Sequence, residues 1–440
     1  MTQPLTQPHR EGETPRVMLY SQDGFGLGHL RRTSLIAAAI TQACSSAAVL
    51  TALDSRLGAF FEPAPNQDYL KLPSVVKIAP GVWQAVGLPL DFPQVHAMRS
   101  ELLRATARTY RPHLLLVDHM PHGAMGELVP TLEALRHDGG TKIVLGLRDI
   151  IDAPAVTRER WAREGAYQAI ERYYDQVLVY GRRDVFDLAA QYGLPPSAAA
   201  RVRYTGYVAT PAKGQEATRL RARYAAGEGG GLIVAMAGGG ADGYPLLRAV
   251  LDALPLVRAL RPCTAVLVTG PFMPTGQRRR LQRRARAAGA SVQVSVSDTL
   301  SHIRAADVVV AMAGYSTTIE VLSSRTPAIL VPRRGPSAEQ RTRAGLFASR
   351  GWVRALDPDD LGAETMAAAL LASLAQGPVK GRPACDGLRV AIAHLLRLLG
   401  GDCAEAAAAA SMLERERDDA APLEPAPAPP ANLLTPLELE

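Results

Sequence analysis

Cysteine is scarce. The 440 residues hold four, Cys44, Cys263, Cys385 and Cys403, and no two form a C-x-x-C pair. That spacing offers no zinc-ligand set and no disulfide framework, so a reducing, cytoplasmic setting is expected. Long apolar runs are missing too. None approaches the ~20 residues that span a bilayer. The polar start, Met1 to Arg16 with Pro4, Pro8 and Pro15, lacks the apolar core of a signal peptide. Aromatic residues make up 5% of the chain. Few of them interleave with the arginines at 278, 279, 280, 283, 284 and 286, which argues against a nucleic-acid surface. Those arginines cover more than one face of a helix. The bland reading is a solvated surface, and the functional one is contact with anionic phospholipid at the inner face of a membrane.

What is present suits a folded α/β protein, with 47% hydrophobic and 21% charged residues. The net charge is +7, unevenly spread. Residues 404–440 contain eight acidic and two basic residues, a net of −6, so the other 403 carry +13. A basic body favours anionic ligands. Short apolar runs at Val17–Tyr20, Ala47–Leu53, His113–Asp118, Lys142–Leu147, Gln176–Tyr180 and Arg201–Gly206 alternate with helical or loop sequence. This predicts a parallel sheet with helices on both faces. The pattern restarts with strands at Gly231–Ala237, Thr264–Gly270, Ser291–Ser297, Asp307–Ala313 and Ala328–Pro332. The expected fold class is α/β, with two Rossmann-like domains in tandem. A disordered N-terminus spans 1–15, the first domain 16–208, a linker 209–216 and the second domain 217–400. A disordered acidic, Pro/Ala-rich tail covers 404–440.

In parallel α/β sheets, ligands sit at the carboxyl ends of strands. Three glycine-bearing turns fall there. The first carries Gly24, Gly26 and Gly28, then His29, Arg31 and Arg32. A neutral imidazole at such a turn can take a proton from an attacking hydroxyl. A capping or packing histidine is the plain alternative. The second turn, Gly238-Gly239-Gly240 to Gly243, satisfies G-x-G-x-x-G. A dinucleotide site needs an acidic residue after the next strand, and Thr269-Gly270-Pro271 stands there, so a diphosphate cradle is favoured. The third is Gly314 with Ser316 and Thr317 opening a helix, and Glu320 one turn later. The carboxylate at that position suits a ribose diol, although a surface helix residue is the ordinary expectation. Glu339 and Gln340 follow at another helix start and offer acceptors and donors to sugar hydroxyls. Asp118, His119, His122, Arg148 and Asp149 lie at strand ends of the first half. Together with Arg31, they are candidates for an acceptor pocket by position alone.

At these residues the chain resembles the GT-B glycosyltransferases of the family-28 type, to which the enzyme completing lipid II belongs. The resemblance is strongest over Gly231–Gly351 and reaches the first half mainly at Gly26–Arg31. Whole-chain, it extends to bacterial proteins labelled predicted glycosyltransferases. It implies a nucleotide-diphosphate sugar, a UDP-sugar by analogy, held in a cleft between the halves. It also implies inverting transfer of a hexose or N-acetylhexosamine to a hydroxyl acceptor, lipid-linked or glycan. Carried over by position, Glu320 holds the ribose, and Gly26, Gly28, Gly238–Gly240, Gly314, Ser316 and Thr317 serve the diphosphate. Glu339-Gln340 fall where the family has a Gln-Gln pair. The family's aromatic residue near the base has no counterpart among Val294–Ser297. His29 would be the catalytic base, with no cofactor and no metal. Two rivals share these residues. One is a UDP-sugar hydrolase or epimerase, in the first of which His29 activates water. The other is a non-catalytic nucleotide-sugar-binding subunit.

Overall fold

The computed structural model describes residues 13–22, 28–55, 62–79, 82–210, 217–224, 230–400 and 403. The calls made above on 1–12, the turn through Gly24 and Gly26, the linker at 211–216 and the tail at 404–440 lie outside these residues. The chain divides into two compact units. One holds the residues up to Val208 and those from Asp386 onward, and the other runs from Ala209 to Cys385.

The first unit is built on strands β1 (Arg16–Ser21), β2 (Ala48–Leu53) and β3 (Gln67–Lys71), a hairpin of β4 (Val75–Ala79) and β5 (Val82–Ala85), and then β6 (Leu114–Asp118), β7 (Lys142–Arg148), β8 (Gln176–Tyr180) and β9 (Val202–Tyr204). Seven of them form one sheet in the order β3-β2-β1-β6-β7-β8-β9, with every pair parallel. Val17 to Tyr20 and Leu114 to Val117 are all fully buried, as both faces of a parallel sheet require. The helices of this unit are α1 (Gly28–Ala43), α2 (Phe92–Tyr110), α3 (Val129–Asp138), α4 (Pro154–Glu164), α5 (Ala166–Tyr173), α6 (Leu188–Gln191) and α7 (Pro196–Ala199). A capping box starts α2: the Asp91 side chain accepts from the Gln94 amide, and the Gln94 side chain accepts from the Asp91 amide.

The second unit has strands β10 (Gly231–Met236), β11 (Cys263–Val268), β12 (Ser291–Gln293), β13 (Val308–Ala311), β14 (Ala328–Leu330) and β15 (Arg354–Ala355). They pair in parallel in the order β12-β11-β10-β13-β14-β15. Its helices are α8 (Ala217–Arg223), α9 (Tyr244–Arg258), α10 (Thr275–Ala287), α11 (Thr299–Ala305), α12 (Tyr315–Leu322), α13 (Glu339–Ser349) and α14 (Ala363–Gln376). Its core is lined by Leu247, Val250 and Leu254 of α9 and Leu370 of α14 against Ile233, Leu267 and Val310 of the sheet.

Two expectations are corrected. The second domain was expected to run to residue 400, but α15 (Gly387–Leu399) belongs to the first unit, where it packs on α1. The apolar face of α15, with Val390, Ala391, Leu395 and Leu396 buried, returns to the sheet it began beside. The same return places Cys403 beside Cys44, and the two form a disulfide across 359 residues of sequence. No short-range spacing signals such a pair. Its presence removes the argument from scattered cysteines for a reducing compartment.

Beneath the end of β1 lies a buried charged network. The Arg99 guanidinium donates to both carboxylate oxygens of Glu127, at 2.5 and 2.6 Å, and to the Pro73 carbonyl at 2.5 Å. It also sits 3.4 Å from Asp54. The Tyr20 hydroxyl donates to Glu127 at 2.6 Å. Arg99, Glu127, Asp54 and Tyr20 are each at most 1% exposed. Burial would lower the Arg99 pKa, but the Glu127 hydrogen bonds and charge outweigh it and raise the value. Removing one partner strands the other in a medium that cannot solvate it. Glu127→Ala is expected to cost about 3–5 kcal/mol of unfolding free energy. The double variant Arg99→Met/Glu127→Leu should recover a large part of that loss, as urea denaturation of the three proteins would show.

Candidate active site

Both sheets reverse their strand order next to the first strand of the unit: between β1 and β6 in the first, between β10 and β13 in the second. Such a reversal splays the following loops apart and leaves a crevice at the carboxyl edge. His29, Arg31 and Asp118 to His122 fall beside the first reversal and Gly238–Gly240, Gly314, Ser316, Thr317 and Glu320 beside the second, while Arg148 and Asp149 follow β7 and Glu339 and Gln340 open α13; each is described within its own unit.

In the first unit α1 opens at Gly28. His29 occupies its second position and Asp118 ends β6. The His29 Nδ1 lies 2.5 Å from Asp118 Oδ2. A nitrogen lone pair that close to a carboxylate oxygen would be repulsive. The carboxylate favours the tautomer with the proton on Nδ1 and the lone pair on Nε2, while Arg32 Nη2 also lies 3.0 Å from Nδ1. Arg32, one turn further along α1, donates from Nη2 to both oxygens of Asp118 at 2.8 Å and from Nε to Oδ1 at 3.1 Å. Its guanidinium also lies 5.2 Å from the centre of the Tyr180 ring. The His29 side chain is 18% exposed and Asp118 only 1%. Burial would raise the Asp118 pKa, but the charges of Arg32 and His29 and their hydrogen bonds hold it below the usual carboxylate value.

The other first-half candidates separate by environment. Asp118 is shut away beneath His29 with both oxygens engaged, so it orients the imidazole and does not meet an acceptor. Asp149, 1% exposed, accepts from the Ile150 amide and shapes the turn after β7. His122 hydrogen-bonds through Nδ1 to the Gly123 carbonyl. Arg31 is half-buried on α1. It is Arg32, its neighbour, that reaches the buried carboxylate. The phase of the helix settles this: positions 29 and 32 share a face, and position 31 turns away. His119 packs against His29, with ring centres 4.9 Å apart. Arg148 ends β7 beside it.

In the second unit Gly238, Gly239 and Gly240 lie between β10 and α9. Gly238 and Gly240 have positive φ, 60° and 95°. A side chain at Gly240 would collide with the Thr269 carbonyl, so only glycine lets this turn pass so close to the end of β11. Across the crevice Gly314 precedes α12, and no side chain caps the start of that helix among the described residues. Ser316 and Thr317 are half-buried in its first turn, and Glu320 is fully buried one turn later. The Gln340 side chain ties two further loops in: its Oε1 accepts from the Arg333 amide at 3.1 Å, and its Nε2 stands near Gly314. Arg333 pairs with Asp242 at 3.3 Å, joining the glycine turn to the loop after β14. Glu339 is engaged by Arg343 at 2.9 Å. Arg343 is itself fully buried and donates to the Ala313 carbonyl at 3.0 Å. The sequence did not single out Arg343 or Asp242. Their signal was only the one-turn spacing of Glu339 and Arg343 and the place of Asp242 inside the glycine turn.

Residues 233–383 match the family model of the glycosyltransferase family 28 C-terminal domain. An uncharacterized glycosyltransferase of Methanosarcina mazei is 31% identical over 126 residues, which are 28% of this chain and 30% of that protein. The chain thus spans about a third of the length of this relative. Among solved structures, MurG of Acinetobacter baumannii superposes with a TM-score of 0.55 at 15% identity, covering 87% of this chain and all of that one. UGT2 of Phytolacca americana, solved with UDP-2-fluoro-glucose and pterostilbene, gives a TM-score of 0.57 at 14% identity, over 91% of this chain and 99% of its own. At these identities the likeness is one of fold, the GT-B fold.

The Asp118 junction has a pH signature. Its folded-state pKa is depressed, so its contribution to stability is complete at neutral pH and is lost as pH falls below about 4 and through the folded value. Asp118→Asn leaves buried Arg32 without its counter-charge and is expected to cost about 3 kcal/mol at pH 7. Chemical denaturation from pH 7 to pH 3 should show the gap between wild type and variant closing at the acid end.

Proposed function

We propose that this chain, a member of the GT-B glycosyltransferases of the family-28 type, moves a hexose or N-acetylhexosamine from a nucleotide-diphosphate sugar to a hydroxyl acceptor with inversion. The observation that carries the proposal is the His29–Asp118 contact at the strand reversal of the first unit. Asp118 fixes the proton on Nδ1, so Nε2 is oriented as a base toward an acceptor hydroxyl. As the hydroxyl oxygen attacks the anomeric carbon, its proton passes to Nε2 and the nucleotide diphosphate departs with the bonding pair. Asp118, kept ionised by Arg32, stabilises the imidazolium that forms.

The donor falls to the second unit. The glycine turn at Gly238–Gly240 and the uncapped start of α12 at Ser316 and Thr317 suit the diphosphate, whose charge grows on the leaving oxygen. Glu320 is assigned to the ribose, which requires its carboxylate to move out of the buried position it holds. Gln340 is the better placed of its pair to meet the sugar, because Glu339 is engaged by Arg343. UDP is the nucleotide this proposal favours, by analogy with the UDP-sugar bound in the Phytolacca structure.

The test is an assay of purified protein with a panel of UDP-sugars, with and without candidate acceptors. His29→Ala should lower transfer by about 10²–10⁴-fold while leaving UDP affinity unchanged. Glu320→Gln should weaken UDP binding instead. Stoichiometric release of free sugar without an acceptor would favour hydrolysis, and full turnover by His29→Ala would remove the base assignment.

A further inference from the structure

Asp242 is out of place in a turn assigned to an anion. It stands between β10 and α9, just after Gly238–Gly240, and a carboxylate there repels the diphosphate those glycines are proposed to hold. Its partner is Arg333, whose Nε lies 3.3 Å from Asp242 Oδ2. The Asp242 side chain is 44% exposed and that of Arg333 39%.

The pair reaches across the sheet edge. Arg333 follows β14, Asp242 follows β10, and β13 runs between those strands. Neighbouring strands lie ~4.8 Å apart, so the contact bridges about 10 Å over the carboxyl end of β13. That is where α12 begins after Gly314, a residue with no side chain to obstruct the crossing. The root of the arginine is fixed, because its amide donates to Gln340 Oε1 at 3.1 Å. Its far end is held by charge. The Nε–H is shut off from solvent and meets no hydrogen-bond acceptor among the described residues, so the contact with Asp242 lacks hydrogen-bond geometry. Arg334, the next residue, turns elsewhere: its Nε lies 3.1 Å from Asp359, and its Nη2 donates to the Pro358 carbonyl at 3.1 Å.

We propose that Arg333 is the side-chain cation of the donor site and Asp242 its exchange partner: a diphosphate entering between the glycine turn and α12 takes the guanidinium from the carboxylate. The inference rests on the assignment of the donor to the second unit. Charge favours the exchange. A single exposed carboxylate, held without a hydrogen bond, stabilises the guanidinium little. A diphosphate brings at least two negative charges and oxygens that accept from both arms of the fork at once. Arg333 thus adds a full charge to a cradle otherwise made of backbone. Asp242 keeps that charge over the crevice and out of bulk solvent, while competing with the ligand for it.

The test measures pyrophosphate and UDP binding to the full-length protein by titration calorimetry. Pyrophosphate reads the cradle without base or ribose. Arg333→Gln is expected to keep the melting temperature and weaken both ligands about tenfold, the loss of a charge-assisted hydrogen bond. Arg333→Lys should recover part of that loss, since the charge stays and only the fork goes. Arg334→Gln removes the same charge one residue on and should change neither affinity. Asp242→Asn should tighten both ligands about two- to fivefold, the size of an exposed ion pair, and should do much less in the Arg333→Gln background. Unchanged pyrophosphate affinity in Arg333→Gln, an equal loss in Arg334→Gln, or an Asp242→Asn gain that is absent or the same in both backgrounds would overturn the exchange. A wild type that shows this pattern with pyrophosphate but does not bind UDP would overturn the donor reading and leave Arg333 standing. One that binds neither ligand would overturn both.

Discussion

One buried carboxylate governs the first unit. Asp118 is 1% exposed at the end of β6, where an unpaired negative charge would be intolerable. Arg32 supplies the counter-charge through three donor contacts, and His29 supplies the remaining proton. The position of the His29 imidazole therefore follows from charge burial. The strand end sets the carboxylate, and the carboxylate sets the two α1 side chains. Weakening any of these contacts changes stability and chemistry together. The Arg99–Glu127 network repeats the tactic under β1, where a full positive charge is buried with its partner and a tyrosine hydroxyl.

The frame that makes this possible occurs twice. Each sheet places its first strand inside the order and reverses beside it, so two loops diverge over a crevice in both units. In the second unit the Gly238–Gly240 turn and the start of α12 follow the two strands at the reversal, and in the first His29 and Asp118 flank it.

Much of that frame was legible because parallel strands covered on both faces read as unbroken apolar runs. Val17–Tyr20, Leu114–Val117 and Ile233–Ala235 leave little else to be. Strand β3, QDYLK, and the β4–β5 hairpin escaped notice because they are partly exposed and mix polar with apolar residues. The return of α15 escaped for another reason. Its amphipathic pattern shows that it must bury a face, but not which unit supplies the cover, and the Cys44–Cys403 bond depends on that choice. At the site, glycine turns and His29 stood out by type and position. The roles of Arg32 and Asp118 did not, since a buried ion pair 86 residues apart leaves no local mark in sequence.

The two units answer the problem of charge in opposite ways, and the difference bears on what each can bind. The first balances fixed side-chain ions against one another, which holds an imidazole in one tautomer but makes the pocket rigid and specific. The second offers backbone: a glycine turn that no side chain can crowd, and a helix start without a cap. Backbone N–H groups carry only partial charges, so they lose little when the site is empty and gain as negative charge develops near them. Fixed side-chain ions in one unit and a glycine turn with a helix start in the other are thus two separate electrostatic arrangements, each set at the strand reversal of its own sheet.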